Sequence, residues 1–271
     1  MAMQPLPRTS PCQHVWRYLP LERLLTAIET HQLSLTLLGK YSKDDPYETS
    51  VPKLVEQDDC QIIYQSQVMC GFADDEDIEA THYEELGESD LVRHRRLIAR
   101  RRALLRSAHA SCWRSGDESE AMWRLYCPEK DGVTTGVAIR STFQKLQDSI
   151  KDVSTVVSAI AYIDYKTDRF VRHREPYDPA LHKRKAFEHE QEVRVLRFSP
   201  VDFERAGTDE SHSAPERVTI AWNADAVIEK VVPNPRAAAG YLEAVTRAIE
   251  SVSPSIAKLV QASDLAETPG W

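Results

Sequence analysis

Three glutamates lie two residues apart between residues 185 and 196, a spacing that brings carboxylates together on a β-strand. Glu188, Glu190 and Glu192 are followed at the same interval by Arg194. Because alternate residues of a strand share one face, an extended segment would present these four side chains together. Grouped carboxylates can bind a metal ion, orient a hydroxyl group or stabilise developing positive charge. This segment is therefore the first candidate for chemistry.

The sequence leaves two interpretations of the acidic face open. The first is an ordinary solvated surface, which is where most charged residues lie. In the second, the carboxylates line a cleft and a basic group faces them, since an arginine within about 4–6 Å reverses the rise in pKa that neighbouring carboxylates cause. Arg17 is the first candidate for this basic group and Arg114 is the second. Val193 and Val195 are then buried on the opposite face.

Three other short blocks contain residue types suited to ligand binding. Arg17 lies between two aromatic residues on a predicted first strand, and a planar guanidinium can hold a phosphate through two hydrogen bonds. Trp123 and Tyr126 are spaced for one helix, which predicts a helix that covers the sheet with Trp123 mainly buried. The blocks are Trp16-Arg17-Tyr18, Asp44-Asp45-Pro46-Tyr47-Glu48, and Trp113-Arg114-Ser115 with Ala121 to Cys127.

Composition argues against several classes of function. The formal net charge of the 271 residues is −8, which is not expected of a protein that coats nucleic acid through its phosphates. The five cysteines form no CxxC pair, so we expect neither a zinc site nor a disulfide framework, and a reducing cytoplasm fits best. We expect no metal ion. No apolar stretch approaches the length of a membrane span, and the glycine-rich nucleotide motifs are absent.

The predicted elements mix helices and strands without a regular β/α alternation. We therefore expect an α+β fold with a mixed or mostly antiparallel central sheet and flanking helices. The predicted organisation is a loose N-terminal arm at residues 1–13 and one domain at residues 14–271, with a helical insertion at about residues 53–110. The arginine-rich part of the insertion, residues 93–106, is interpreted either as a solvated helix face or as a phosphate-contacting helix.

In sequence order, these blocks resemble the bacterial domain-of-unknown-function family numbered 2971, over about residues 14–250. The resemblance also includes the strand at 136–139 and a late pattern formed by Lys183, Phe187, Glu190, Glu192 and Arg194. The chain departs from the family pattern at Asp44 or Asp45, at Phe187 and at Arg124. The resemblance implies a bacterial cytoplasmic protein, with mobile elements or phage defence as its context, and implies no particular reaction.

The order of the motifs is also similar to that of ADP-ribosyltransferase-like folds, which would make the protein an enzyme that uses NAD. That resemblance implies a catalytic role for Glu192, while Glu190 orients a nucleophile from a macromolecular acceptor. Arg17 would bind the pyrophosphate. The residues implied in cofactor binding are Arg17, Tyr18, Arg114, Ser115, Trp123 and Tyr126.

Two other classes of function remain open. A non-catalytic sensor or partner-binding module would use Glu190, Glu192 and Arg194 as a structural ion-pair network with Arg17 or Arg114, because structural ion pairs also shift pKa values. A metal-dependent nuclease would hold Mg²⁺ on Asp45, Glu190 and Glu192. The negative charge and Arg194, which cannot act as a base, disfavour the nuclease. Arg17 and Glu192 in one cleft would favour the enzyme, and their separation across the sheet would favour the module.

Overall fold

The computed structural model describes residues 10–52, 90–170 and 175–266. Residues 1–9 of the predicted arm and 53–89 of the predicted insertion lie outside the described residues. The strands are β1 (His14–Leu19), β2 (Gln32–Leu37), β3 (His109–Ser115), β4 (Val137–Thr142), β5 (Thr155–Ala159), β6 (Ala161–Ile163), β7 (His182–Arg184), β8 (Glu192–Arg197), β9 (Arg217–Ala221) and β10 (Lys230–Pro233). The α-helices are α1 (Leu21–Thr30), α2 (Asp90–Ser107), α3 (Glu120–Tyr126), α4 (Phe143–Ser149), α5 (Pro200–Thr208), α6 (Ala224–Val227), α7 (Tyr241–Glu250) and α8 (Pro254–Ala257).

Eight of these strands form one antiparallel sheet, which divides into two arms at β3. One edge of β3 pairs with β8 along its length, and β8 pairs in turn with β5. The other edge of β3 pairs with β1 through Trp16↔Arg114 and with β2 through Thr36↔Ala110. The arm that begins with β1 continues through β4 to β10, and the arm that begins with β2 continues to β9. Strands β6 and β7 form a separate parallel pair. The described residues therefore have the predicted α+β fold with a mostly antiparallel sheet.

The main hydrophobic core lies on one face of this sheet. Val15, Trp113, Val193 and Val195 project into it from three neighbouring strands and are almost fully buried. Burial of each of these valine side chains contributes about 1.5–3 kcal/mol to folding. Helices α1 and α7 cover this core with residues spaced four apart, Leu24 and Ile28 from one helix and Val245 and Ile249 from the other.

Helix α3 packs against the opposite face of β1. Trp123 is fully buried there, its indole Nε1 donates a hydrogen bond to Glu118 at 2.8 Å, and its ring meets Tyr18 edge to face at 4.9 Å. Tyr126, almost one turn later, is 43% exposed. The predicted helix with a buried Trp123 is therefore confirmed. Among the described residues, no helix is both long and apolar enough to cross a bilayer.

The acidic segment is only partly a strand, which corrects the prediction from its period-2 pattern. Residues Lys185–Glu190 form a 3-10 helix, Gln191 takes a left-handed conformation (φ 44), and β8 begins at Glu192. The reason lies in the neighbouring strand: Glu192 pairs with Arg114, Ser115 donates to the Gln191 carbonyl, and β3 ends there, so no strand partner remains for the residues before Gln191. Val193 and Val195 are fully buried, as predicted.

Replacement of Gly136 by alanine is expected to destabilise the fold by about 3 kcal/mol. Gly136 has φ 104, and an added Cβ would lie 2.5 Å from the Cys127 Sγ atom, so overpacking adds to backbone strain. Gly132→Ala is the matched control, because its φ of 76 imposes strain while nothing lies within 4 Å of an added Cβ. Chemical denaturation of both variants measures the difference, and equal losses would contradict the role of the Cys127 contact.

Candidate functional site

A fully buried guanidinium, that of Arg194 on β8, lies at the centre of the site. Its Nη1 donates to the Glu48 carboxylate at 2.7 Å and to the Ala180 carbonyl at 2.6 Å, and its Nε donates to Glu192 Oε1 at 2.8 Å. Arg194 is 1% exposed and Glu48 is 1% exposed. Charge-assisted hydrogen bonds of this kind are the strong ones in proteins. The guanidinium thus joins β8 to the nearby loop at Ala180 and to Glu48, which lies 146 residues earlier in the sequence.

Lys183 on β7 supplies the second cation. Its Nζ donates to Glu190 Oε2 at 2.6 Å and to Glu192 Oε2 at 3.3 Å. Each oxygen of the Glu192 carboxylate therefore has its own cation, Arg194 on one side and Lys183 on the other. We refer to Glu48, Lys183, Glu190, Glu192 and Arg194 as the ion network.

The network fixes the protonation of Glu192. Burial alone would raise its pKa, but the charges of Arg194 and Lys183 outweigh burial and lower the pKa to about 2. Burial raises the pKa of Glu48 in spite of Arg194. Burial and the Glu192 charge raise the pKa of the Cys112 thiol, which hydrogen-bonds to Glu192 and stays protonated. Glu192 is therefore an ionised carboxylate at neutral pH.

Arg17 lies on the other face of the sheet from Glu192. Its Nη2 donates to the Ser34 carbonyl at 3.3 Å across the gap between β1 and β2, and its Cζ lies 5.9 Å from the Trp113 ring centroid. It has no carboxylate partner within the described residues, and burial lowers its pKa. The prediction that Arg17 faces the carboxylates is wrong, because strand alternation directs its neighbours Trp16 and Tyr18 towards Glu192 instead.

Two clefts meet at Glu192 and Arg114. The narrow cleft has about 290 Å³ of space, including space open to solvent, and has room for one or two water molecules. The wide groove encloses about 1000 Å³, including space open to solvent. The narrow cleft is lined by Trp16, Tyr18, Cys112, Trp113, Arg114, Met122, Tyr126, Glu190 and Glu192. The wide groove is lined by Gln13, Arg114, Ser115, Gly116, Asp117, Ala159, Ile160, Tyr162, Glu188, Gln191 and Glu192.

The remaining predicted site residues are divided among the clefts and the core. Tyr18, Arg114 and Tyr126 line the narrow cleft, and Ser115 lines the wide groove. The prediction that Arg114 could face and pair with the carboxylates is wrong. Its Nη1 donates to the Asp117 carbonyl instead. Trp123 is a core residue.

Asp45 is buried at the edge of the ion network. It pairs with Arg184 at 2.8 Å, while Glu190 and Glu192 share Lys183, so each carboxylate that the nuclease alternative would need for Mg²⁺ already has a cation. Among the described residues, no group of three histidine, cysteine, aspartate or glutamate side chains has the arrangement of a metal site.

The arginines of α2 that are described serve mainly as hydrogen-bond donors to backbone carbonyls. Arg101 Nε donates to the Glu48 carbonyl at 3.0 Å, and Arg106 donates to the carbonyls of Ala206 and Glu210. Arg102 forms an exposed ion pair with Glu210. Arg101 therefore holds the backbone at the residue whose carboxylate contacts Arg194.

Three contacts of Glu192 were absent from the predicted site: Lys183, Cys112 and Tyr162. Lys183 belongs to the late motif of the family resemblance, so a signal for it existed. Cys112 lies two residues from Arg114 on the same strand face, which alternation along β3 could have indicated. The Tyr162 hydroxyl accepts a hydrogen bond from the Glu192 N–H at 2.6 Å, and nothing in the sequence around Tyr162 indicated it.

Comparison with known proteins gives a match to a family model over part of the chain. Residues 122–195 match the family model described as "Protein of unknown function (DUF2971)". The match covers about a quarter of the chain, from α3 to β8, and it includes every member of the ion network except Glu48. No curated protein and no solved structure matches the chain.

Arg194→Met is expected to lower the free energy of unfolding by about 3–5 kcal/mol, because it leaves Glu48 and Glu192 buried with less compensation. Arg197→Met on the same strand is the control. Arg197 pairs with Asp152 at 3.3 Å, and both side chains are about one-third exposed, so its loss costs less than about 1 kcal/mol. Urea denaturation compares the two variants, and similar losses would show that the buried pairs do not stabilise the fold.

The acid sensitivity of the fold is expected to depend on Glu192. A carboxylate with a lowered folded-state pKa stabilises the fold above its unfolded pKa, near 4.5, and this contribution is lost as the pH falls through about 2. The contribution is on the order of 3 kcal/mol. Glu192→Gln should therefore lose less stability than the wild type between about pH 5 and pH 2. Glu48, whose pKa is raised, favours the folded state as pH falls and does so in both proteins.

Urea denaturation at intervals across that pH range measures the effect. If the free energy of unfolding falls with pH equally in the wild type and in Glu192→Gln, the assignment of this acid sensitivity to Glu192 is contradicted.

Proposed function

We propose that the protein is an ADP-ribosyltransferase-like enzyme that transfers ADP-ribose from NAD to a macromolecular acceptor. The observation that carries the proposal is the position of Glu192, an ionised carboxylate where an aromatic cleft meets a wide polar groove. One cleft can take the ring of the leaving group and the other can take the rest of a large ligand. The wide groove, at about 1000 Å³ including space open to solvent, is at the upper end of the range of ligand sites in proteins.

The proposed reaction breaks the bond between nicotinamide and the ribose carbon, and its electron pair leaves with nicotinamide. The ribose carbon gains oxocarbenium character, which a nearby carboxylate stabilises. An oxygen or nitrogen of the acceptor then bonds to that carbon and releases a proton, so no oxidant is needed. Glu192 stabilises the positive charge. Lys183, whose Nζ lies 2.6 Å from Glu190 Oε2, holds Glu190 beside Glu192.

The narrow cleft must open for this reaction, because its present space fits only one or two water molecules. Tyr126 is the candidate for this movement, since it lines the cleft and is 43% exposed. Trp16 and Tyr18 are almost fully buried and form a fixed aromatic wall. Rotation of Tyr126 would admit a planar ring between these aromatic side chains.

The second candidate function is a non-catalytic sensor or partner-binding module. Two observations favour it: Arg17 is separated from Glu192 by the sheet, and both oxygens of the Glu192 carboxylate have protein partners. The ion network would then be structural. With either function, the family resemblance supports a bacterial cytoplasmic protein, linked to phage defence or mobile elements.

Glu192→Gln separates the two functions. The enzyme should lose NAD consumption by at least about 100-fold, measured well below the melting temperature with a lysate of the source cells supplying the acceptor. Glu243→Gln, on the exposed face of α7, should retain wild-type consumption. Both functions predict a lower melting temperature for Glu192→Gln, because Arg194 and Lys183 each lose one charged partner. A wild type that consumes no NAD while Glu192→Gln melts several degrees lower would favour the module.

A further inference from the structure

We infer that Arg114 and Tyr162 form a phosphate-binding subsite in the wide groove, for a ligand that carries a phosphoryl or pyrophosphoryl group. The inference deepens the proposed function, because it gives the phosphates of the ligand a place on the same side of the sheet as Glu192. It assigns to Arg114 the contact that the sequence suggested for Arg17, and it adds Tyr162.

Arg114 has hydrogen-bond donors without protein acceptors. Its Nη1 donates to the Asp117 carbonyl, which orients the guanidinium, but its buried Nε has no hydrogen-bond partner. Within the described residues Arg114 forms no ion pair, in contrast to Lys183 and Arg194. A buried donor without an acceptor is destabilising, and because Arg114 lines the wide groove, an anion bound there would supply acceptors to its guanidinium. The planar arrangement of guanidinium donors suits phosphate oxygens.

Tyr162 supplies a second donor beside Arg114. Its hydroxyl oxygen accepts the Glu192 N–H at 2.6 Å, so its own proton is directed elsewhere. Burial raises the pKa of Tyr162, which keeps that proton in place at neutral pH. Glu192 is also the strand partner of Arg114. The two donors therefore flank the same residue, and both line the wide groove.

The other charged groups of the groove are compatible with an anion. The charge of Glu192 is compensated by Arg194 and Lys183. Glu188 and Asp117 are exposed, where solvent and salt screen their repulsion. The groove is larger than a simple carboxylate needs, and a phosphoryl group can accept hydrogen bonds from donors on different walls.

Isothermal titration of the full chain with ADP, inorganic pyrophosphate and adenosine tests the subsite. ADP and pyrophosphate should bind, adenosine should bind much more weakly, and Arg114→Gln should weaken ADP binding at least about tenfold. Arg124→Gln is the matched control, because Arg124 is exposed, pairs with Glu120 at 3.1 Å and lines neither cleft. Arg114→Lys, which keeps the charge but loses the Nε donor, should bind with intermediate affinity and replaces Arg114→Gln if that variant does not fold.

The results also separate the subsite from the proposed reaction. ADP binding that depends on Arg114 without any NAD consumption would support the subsite and overturn the transferase. NAD consumption that Arg114→Gln leaves unchanged would overturn the subsite and support the transferase. A wild type that binds neither ADP nor pyrophosphate, or an Arg114→Gln variant that binds ADP as the wild type does, would overturn the subsite.

Discussion

The site depends on the compensation of one buried positive charge, that of Arg194. A guanidinium at 1% exposure must find acceptors inside the protein, because an unpaired buried charge is unstable by several kcal/mol. It finds them in Glu48, the Ala180 carbonyl and Glu192. Glu192 lies on the same strand as Arg194, whereas Glu48 lies 146 residues earlier, so the ion network requires that these distant parts of the chain fold together.

Charge balance explains why the pKa values of Glu192 and Glu48 differ within the ion network. Two cations face three carboxylates, and the pKa values move in opposite directions: that of Glu192 falls to about 2, while burial raises that of Glu48. Glu192 has contacts to both cations, whereas Glu48 has contacts to Arg194 alone. The negative charge is therefore held most firmly at Glu192, the member of the network where the two clefts meet.

Local patterns predicted the parts of this arrangement that depend on one element. Alternation predicted the burial of Val193 and Val195, and helical spacing predicted buried Trp123. The same alternation, applied to β1, would have placed Arg17 on the opposite face from Trp16 and Tyr18. The role of Lys183 could not be derived in this way, because it depends on the pairing of β7 with β6 and on the end of β3, which are contacts between distant segments.

The ion network does more than a hydrophobic core would at the same place. Well-packed apolar residues often stabilise a fold as much as a buried ion pair or better, so stability alone does not require five buried or nearly buried charges. What apolar residues cannot do is hold an ionised carboxylate at the junction of two clefts. Arg194 and Lys183 achieve this by contacting the two oxygens of the Glu192 carboxylate, while Tyr162 accepts a hydrogen bond from its N–H and Arg114 is its strand partner on β3. In the proposed function, the network is the support that holds Glu192 ionised at the junction of the two clefts.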